Sequence, residues 1–264
     1  MFEWHTALSA GAAVLVLAVA TWGASLAKGD VSIADSLWSV LISTAACAYV
    51  AAYSQPGART PWVLALLAVW ALRLCVYITA RNWGEPEDHR YQEIRKRNQP
   101  NFGFKSLYLI FLLQGTLAWI VALPLMAAVG STRPLAALDI AGIALVLFGT
   151  AFEAVGDWQL AAFKRAAGNH GKVMDRGLWR YTRHPNYFGE FCAWWGFYLI
   201  ALGAGGWWSI LSPAFMTFTL LKVSGVALLE KSLTERRPAY RDYIARTNAF
   251  FPGPPRPPAA GGKA

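Results

Sequence analysis

Charged side chains are scarce. Aspartate, glutamate, lysine and arginine make up 15% of the 264 residues against 56% hydrophobic ones, and a soluble domain of this length needs more charge than that to cover its surface. Metal-binding patterns are missing as well. Cys47, Cys75 and Cys192 fall in apolar stretches at no metal-like spacing, so they read as small core hydrophobes. There is no G-x-x-x-x-G-K-[ST] loop, no H-E-x-x-H, no G-x-S-x-G and no G-x-G-x-x-G after a strand. A nucleotide site in this chain is therefore not of the Rossmann or P-loop kind.

Long apolar runs fill the chain instead. Segments 5–27, 36–54, 61–80, 106–129, 135–152, 191–203 and 207–229 each read as a membrane span or nearly so, since roughly 20 apolar residues cross the hydrocarbon core. The fold class expected is all-α: a polytopic membrane protein of seven transmembrane helices in one domain, residues 1–251. The Pro/Gly/Ala-rich stretch 252–264 cannot bury a core and is expected to be a disordered tail. The first run is a retained span rather than a cleaved signal peptide, because Glu3 and His5 stand where a signal peptide carries Lys or Arg.

The net charge of +9 sorts by loop. Six Lys or Arg lie in 81–105, six in 164–183 and seven in 231–263, while 55–60, 130–134 and 204–206 carry one, one and none. The rich loops fall on one side of an odd number of spans, which the positive-inside rule makes cytoplasmic, with the N-terminus outside and the C-terminus inside. The basic residues follow the membrane and not a soluble patch, so nucleic acid is not an expected partner. In 81–98, Pro86 and the acids beside it mark a helix start and the basic residues its end, giving a short cytoplasmic helix.

Polar residues inside the spans carry the functional reading. The fifth run continues without a proline break past Glu153 and Asp157 to Lys164, and helical spacing puts these three on one stripe. A sixth helix starting near Pro185 puts Asn186, Glu190 and Trp194 on one face, and an intramembrane carboxylate is costly enough to be functional by default. In the third span Trp70, Arg73 and Tyr77 share a face, and an arginine there needs an anionic partner because it keeps its proton. Asp35 opens the second span, and two readings stand for it: an N-cap on free backbone N–H groups or a catalytic acid. These groups belong to the cytoplasmic halves of their spans, which suits a cytoplasm-facing cavity for a large, anionic, planar-ringed cofactor.

The segment from Glu153 to Glu190, "EAVGDWQLAAFK … GKVMDRGLWRYTRHPNYFGEFCAWWG", together with the ending "LLEKSLTERRPAYRDYIARTNAFFP", resembles the steroid 5-alpha-reductase family in its bacterial branch, over about residues 30–252. The resemblance implies a seven-helix enzyme that binds NADPH and reduces a carbon–carbon double bond conjugated to a ketone. The family's cofactor asparagine and glutamate fall on Asn186 and Glu190, its fifth-helix aspartate on Asp157, and two basic positions on Lys164 and Lys172. Glu153 stands where the steroid enzymes have asparagine. With the neighbouring Arg183, His184, Tyr187, Glu230 and Tyr240, these form the expected cofactor set. The catalytic half departs from the pattern, with Asp35 lacking a preceding glutamine and Trp70 in the place of a tyrosine; Asp35, Arg73 and Tyr77 are the candidate acids. The expected reaction is hydride transfer to the beta carbon of a hydrophobic substrate, a sterol, quinoid lipid or unsaturated fatty derivative, with protonation at the alpha carbon. Basic residues in 164–183 and 236–246 are expected to hold the phosphates. The motif "RHPNYFG" also resembles the isoprenylcysteine carboxyl methyltransferases, which makes an S-adenosylmethionine-dependent membrane methyltransferase the alternative. A non-enzymatic lipid-binding or scaffolding membrane protein is the third possibility.

Overall fold

A computed structural model describes residues 2–223, 230, 234 and 239–257. No strand occurs among them. The helices are α1 (Trp4–Lys28), α2 (Ile33–Ala52), α3 (Thr60–Asn82), α4 (His89–Arg97), α5 (Phe102–Val129), α6 (Ala137–Arg165), α7 (Pro185–Gly203), α8 (Leu211–Phe218) and α9 (Tyr240–Arg246). Short 3-10 turns at Ala167–Asn169 and Gly177–Arg180 punctuate the α6–α7 connection. Among the described residues five helices, α1, α2, α3, α5 and α6, are long and apolar enough to cross a membrane. The two remaining expected segments form α7 and α8, the latter running into a π-helical turn at Thr219–Val223; residues 224–229 lie outside those described.

The chain divides into two compact units, residues 1–143 with 197–212 and residues 144–196 with 213–264. In the first unit α1 turns a stripe of small residues inward, Ala7, Ala10, Val14 and Ala18, all fully buried. Small side chains let backbones approach where lipid offers no hydrophobic drive between helices. A Cβ on Gly115 of α5 would lie 3.4 Å from the Ala18 methyl, and the Trp119 indole donates to the Ala7 carbonyl at 2.8 Å. Opposite this stripe α2 buries Leu41, Ile42, Ala45 and Tyr49, while α3 buries Val63, Leu67 and Trp70.

Helix ends follow local chemistry. Gly29 closes α1 at φ +70, a left-handed conformation that glycine adopts without strain. Helix α4 starts at His89 and not at Pro86 as its sequence suggests, because the Asp88 carboxylate accepts the Arg90 backbone N–H at 2.9 Å and so supplies the cap. Arg95, Lys96 and Arg97 close it, as the helix dipole favours. Helix α6 runs unbroken for 29 residues to Arg165, as the sequence predicts. Within α5, Leu107–Leu112 forms a π-helical turn.

Two expectations change. Cys47 is exposed and Cys75 half-buried, and only Cys192 is a core residue; a thiol in an apolar run faces outward as readily as a methyl group where lipid is the neighbour. The expected tail does not begin at 252: Gly253 donates its N–H to the Tyr181 carbonyl at 3.0 Å and Arg256 to the Arg246 carbonyl at 2.8 Å. Residues 258–264 of that tail lie outside those described.

One ion pair of the first unit has no counterpart in the sequence reading. Arg59, at the N-cap of α3, and Asp139, in the first turn of α6, are 0% and 1% exposed. The guanidinium and carboxylate meet side-on, Nε to Oδ1 at 2.7 Å and Nη2 to Oδ2 at 2.8 Å. Arg59 also donates to the Arg133 and Pro134 carbonyls at 2.8 and 3.0 Å, and Asp139 accepts the Ala136 N–H at 2.7 Å. Each charge is thus hydrogen-bonded on several sides, which is what makes burial of a charge tolerable.

Candidate functional site

In the first unit the site is built around Asp35. The N-cap position of α2 belongs to Ser32, so Asp35 sits in the first turn and is not a cap. Its carboxylate accepts the Arg90 Nη2 at 2.6 Å and the Tyr91 hydroxyl at 2.6 Å, and Arg81 lies 3.8 Å away. The phenol at Asp35 is therefore Tyr91 of α4, whereas the sequence points to Tyr77. Tyr77 and Arg73 lie half-buried on α3, on the helix that carries the fully buried Trp70.

Two further contacts fix this arrangement. The Asp88 N–H donates to the Ser32 hydroxyl at 2.8 Å, and the Val31 N–H donates to Glu87 at 3.0 Å. Glu87 is itself clamped by Arg95 at 2.7 and 2.8 Å, and the Arg95 hydrogen bond, against burial, holds its carboxyl below the usual range. The connection between α3 and α4 is in this way clipped to the start of α2. Burial raises the Tyr91 phenol well above its ordinary value, and the Asp35 charge raises it further. Tyr91 keeps its proton at neutral pH and hands it to Asp35 as a hydrogen bond.

Gln114 of α5 completes the cluster by donating its Nε2 to the Tyr91 oxygen at 3.3 Å. It follows the π-helical turn directly, and such turns re-aim side chains and recur at functional sites. The Gln114 Oε1 is buried without a hydrogen-bond partner among the described residues. Sequence reasoning passed over Arg90, Tyr91 and Gln114; the one signal available was an amide set alone in a long apolar run, which a span tolerates only for a reason.

In the second unit the site grows from the crossing of α6 and α7. A Cβ on Gly189 would lie 2.6 Å from both the Glu153 backbone nitrogen and the Gly149 carbonyl oxygen, and one on Gly149 would lie 2.5 Å from the Ala193 nitrogen. Gly156 packs likewise on Pro185 and the Asn186 nitrogen, at 3.1 and 3.4 Å. Here glycine is required by close approach: the two backbones touch. Glu153 and Asp157, 2% and 4% exposed, are buried on the α6 side. Asn186, Tyr187 and Glu190 are half-buried on α7, whereas Lys164 and Lys172 are exposed.

Arg183, His184 and Glu230 come together as one cluster. Arg183 donates from Nε and Nη2 to Glu230 at 2.7 and 3.0 Å, and from Nη1 to the carbonyls of Ile244, at 3.1 Å, and Thr247. Four of its five N–H groups are thus spent on the protein. Arg183 is a clamp that closes the C-terminal segment onto the start of α7. The His184 Nε2 lies 3.1 Å from Glu230, and its ring stacks on Tyr187 with centroids 5.4 Å apart. Burial works to raise the Glu230 carboxyl, but hydrogen bonds from His184 and Arg183 outweigh it and hold the group below its ordinary value. With Glu230 ionised, Nε2 is the nitrogen of His184 that carries the proton. Tyr240 is buried, and burial followed by the Glu230 charge pushes its phenol up to about 12.

A carboxyl depressed on folding contributes stability above about pH 5 and loses it as the pH falls through the depressed value. Glu230→Gln is therefore expected to cost about 1.5–3 kcal/mol at pH 7, the value of a charged hydrogen-bonded partner, and to flatten the loss of stability on acidification. Thermal unfolding of the detergent-solubilised protein at pH 7 and pH 4 checks both, and equal acid sensitivity in the two proteins would remove Glu230 from this account.

With no strand among its described residues, five helices able to cross a bilayer and carboxylates buried on them, the chain has the architecture of a multi-pass membrane protein. It belongs to the family described as protein of unknown function (DUF1295), whose profile matches residues 21–247. It is also 26% identical to an uncharacterized protein of Schizosaccharomyces pombe, C594.04c, over 90% of this chain and 77% of that one. No solved structure matches it.

Proposed function

We propose that this chain is a membrane-embedded, NADPH-dependent reductase of a carbon–carbon double bond conjugated to a carbonyl in a hydrophobic substrate. The observation that carries the reading is the α6–α7 crossing, where Glu153 and Asp157 are almost fully buried beside a glycine contact with the turn bearing Asn186 and Glu190. The buried carboxylates of Glu153 and Asp157, with the half-buried amide of Asn186, suit the hydroxyls and amide of a dinucleotide. The motif that resembles the steroid 5-alpha-reductases falls on these same residues. In this reading the protein has seven spans, an outside N-terminus and a cytoplasmic C-terminus, in a bacterial inner membrane or endoplasmic reticulum.

The cofactor supplies the hydride when bound. Asn186, Glu190, Asp157 and Glu153 would bind and orient it and Lys164 and Lys172 would meet its phosphates, while the Arg183–Glu230 clamp holds the start of α7 in place. In the first unit, taken by itself, Asp35 fixes the direction of the Tyr91 hydroxyl, which stays protonated for the reasons above.

NADPH is expected to raise the Tm of the purified protein, because a ligand at about one hundred times its Kd stabilises the folded state by about 2.7 kcal/mol. Asn186→Ala and Glu190→Gln should abolish this shift. Tyr91→Phe, in the first unit, should keep the shift. Stabilisation by S-adenosylmethionine instead would establish the methyltransferase reading, and response to neither would leave a binding or scaffolding protein.

A further inference from the structure

The second unit carries an open cleft of about 620 Å³, walled by the Gly177–Arg180 turn, the end of α9 and the segment around Pro255. Arg176, Arg180, Arg246 and Arg256 line it with a single carboxylate, Asp175. Four guanidiniums against one carboxylate leave a formal charge of +3 in the cleft, and arginine cannot relieve the repulsion by losing its proton.

The arginines are not there to hold the protein together. The Arg176 and Arg180 side chains make no hydrogen bond or ion pair with any described residue, in contrast to Arg183. Arg246 gives Nη2 to Asp175 at 2.7 Å and leaves a buried Nε without a partner. Arg256 reaches only the Asn248 side chain, at 3.4 Å.

The walls are held by other means. Gly177 has φ +57, and the Gln159 side chain occupies the space where a Cβ would stand, 2.4 Å away; the same side chain accepts the Leu178 N–H at 2.9 Å. The Trp179 indole donates to the Gly156 carbonyl at 2.9 Å, and the Tyr243 hydroxyl donates to the Trp179 carbonyl. On the far wall the Arg256 N–H donates to the Arg246 carbonyl at 2.8 Å. Backbone anchors thus fix the positions of cations whose own donors remain available.

A rigid set of guanidinium forks matches the oxygens of a phosphate, which several arginines contact at once. The volume is that of a small-molecule site and exceeds the needs of a bare ion. We propose that this cleft binds a multiply charged phosphate group, a phosphomonoester or diphosphate, carried either on a soluble molecule or on an anionic lipid headgroup. Arg176, Arg180 and Arg246 lie in the stretches expected to carry the cofactor's phosphates, so the proposal rests in part on the reductase reading; pyrophosphate binding that persists where NADPH gives no response leaves the cleft standing without that reading.

Inorganic pyrophosphate is expected to raise the Tm of the detergent-purified protein where sodium chloride of equal ionic strength does not. The double variant Arg180→Ala/Arg256→Ala, at exposed positions, should weaken pyrophosphate tenfold or more, as loss of a charged hydrogen bond implies. Asp175→Asn should strengthen it by removing the opposing charge. In a second arm the protein is placed in phosphatidylcholine bilayers with and without phosphatidic acid. A Tm rise with phosphatidic acid, lost in the double variant, assigns the cleft to a lipid headgroup; a rise with pyrophosphate alone assigns it to a soluble phosphate. No response in either arm, or a response that the double variant retains, overturns the site.

Discussion

Arg59→Ala is expected to destabilise the protein by about 3–5 kcal/mol, because it strands the Asp139 carboxylate, 1% exposed, without the cation that its burial requires. Asp139→Ala should cost a similar amount for the converse reason, and it also frees the Ala136 N–H and two forks of the guanidinium. The two single losses should not add. Arg59→Met/Asp139→Leu removes both charges and replaces them with apolar volume, so it should lie far closer to the parent than either single variant. Chemical denaturation in detergent micelles, run as a double-mutant cycle, measures the coupling. A double variant as unstable as the sum of the two singles would show that the pair acts through something other than its mutual charge. The damage should fall on stability and not on cofactor response, since the pair belongs to the first unit and the cofactor set to the second.

Gly189→Leu is expected to prevent α6 and α7 from meeting. Any Cβ at 189 stands 2.6 Å from two backbone atoms of α6, neither of which can rotate away. Even Gly189→Ala forces the helices apart and should cost the 1–3 kcal/mol typical of overpacking, or more. Because the contact is with the Glu153 nitrogen itself, the shift moves Glu153 away from α7, and the NADPH response should fall together with the stability. Gly23→Ala provides the control: nothing lies within 4 Å of its Cβ position, and alanine is the better helix former by about 1 kcal/mol. The measurement is Tm with and without NADPH for all three variants. A Gly189→Ala protein as stable as its parent would mean that the backbones do not touch.

The parts of the fold legible in the sequence were those encoded locally. Unbroken apolar length announced α1 to α3, α5 and α6; Pro185 marked the start of α7; and the α6 run past Glu153 and Asp157 announced a helix of unusual length. Helical spacing put those two carboxylates on one stripe, and their burial was visible only in the packing of α7 on α6. What stayed hidden depends on partners distant in the chain. Arg59 and Asp139 are separated by 80 residues, and each alone looks like a loop charge or a helix-start acid. Nothing near Arg183 in the chain announces Glu230, 47 residues on, which occupies its fork. Asp35 reads as a cap or a catalyst with equal ease, and only the packing of α4 against α2 supplies Tyr91 and Arg90. Tyr77 was the better guess from sequence because it shares a transmembrane helix with Arg73. Tyr91 sits in a short polar helix whose apolar face is a single buried residue, too little to leave a periodic signal.

The π-helical turn at Leu107–Leu112 is in effect an α-helix carrying one surplus residue. Its absorption rotates everything downstream by about 100° relative to a regular helix, and Gln114 is the first polar side chain to benefit. Loss of any one amino acid from this stretch would leave a sound helix and an intact apolar run, yet swing the amide away from Tyr91. Among chains of this lineage, a single-codon deletion here would be silent to any test of membrane insertion while rewiring the cluster around Asp35.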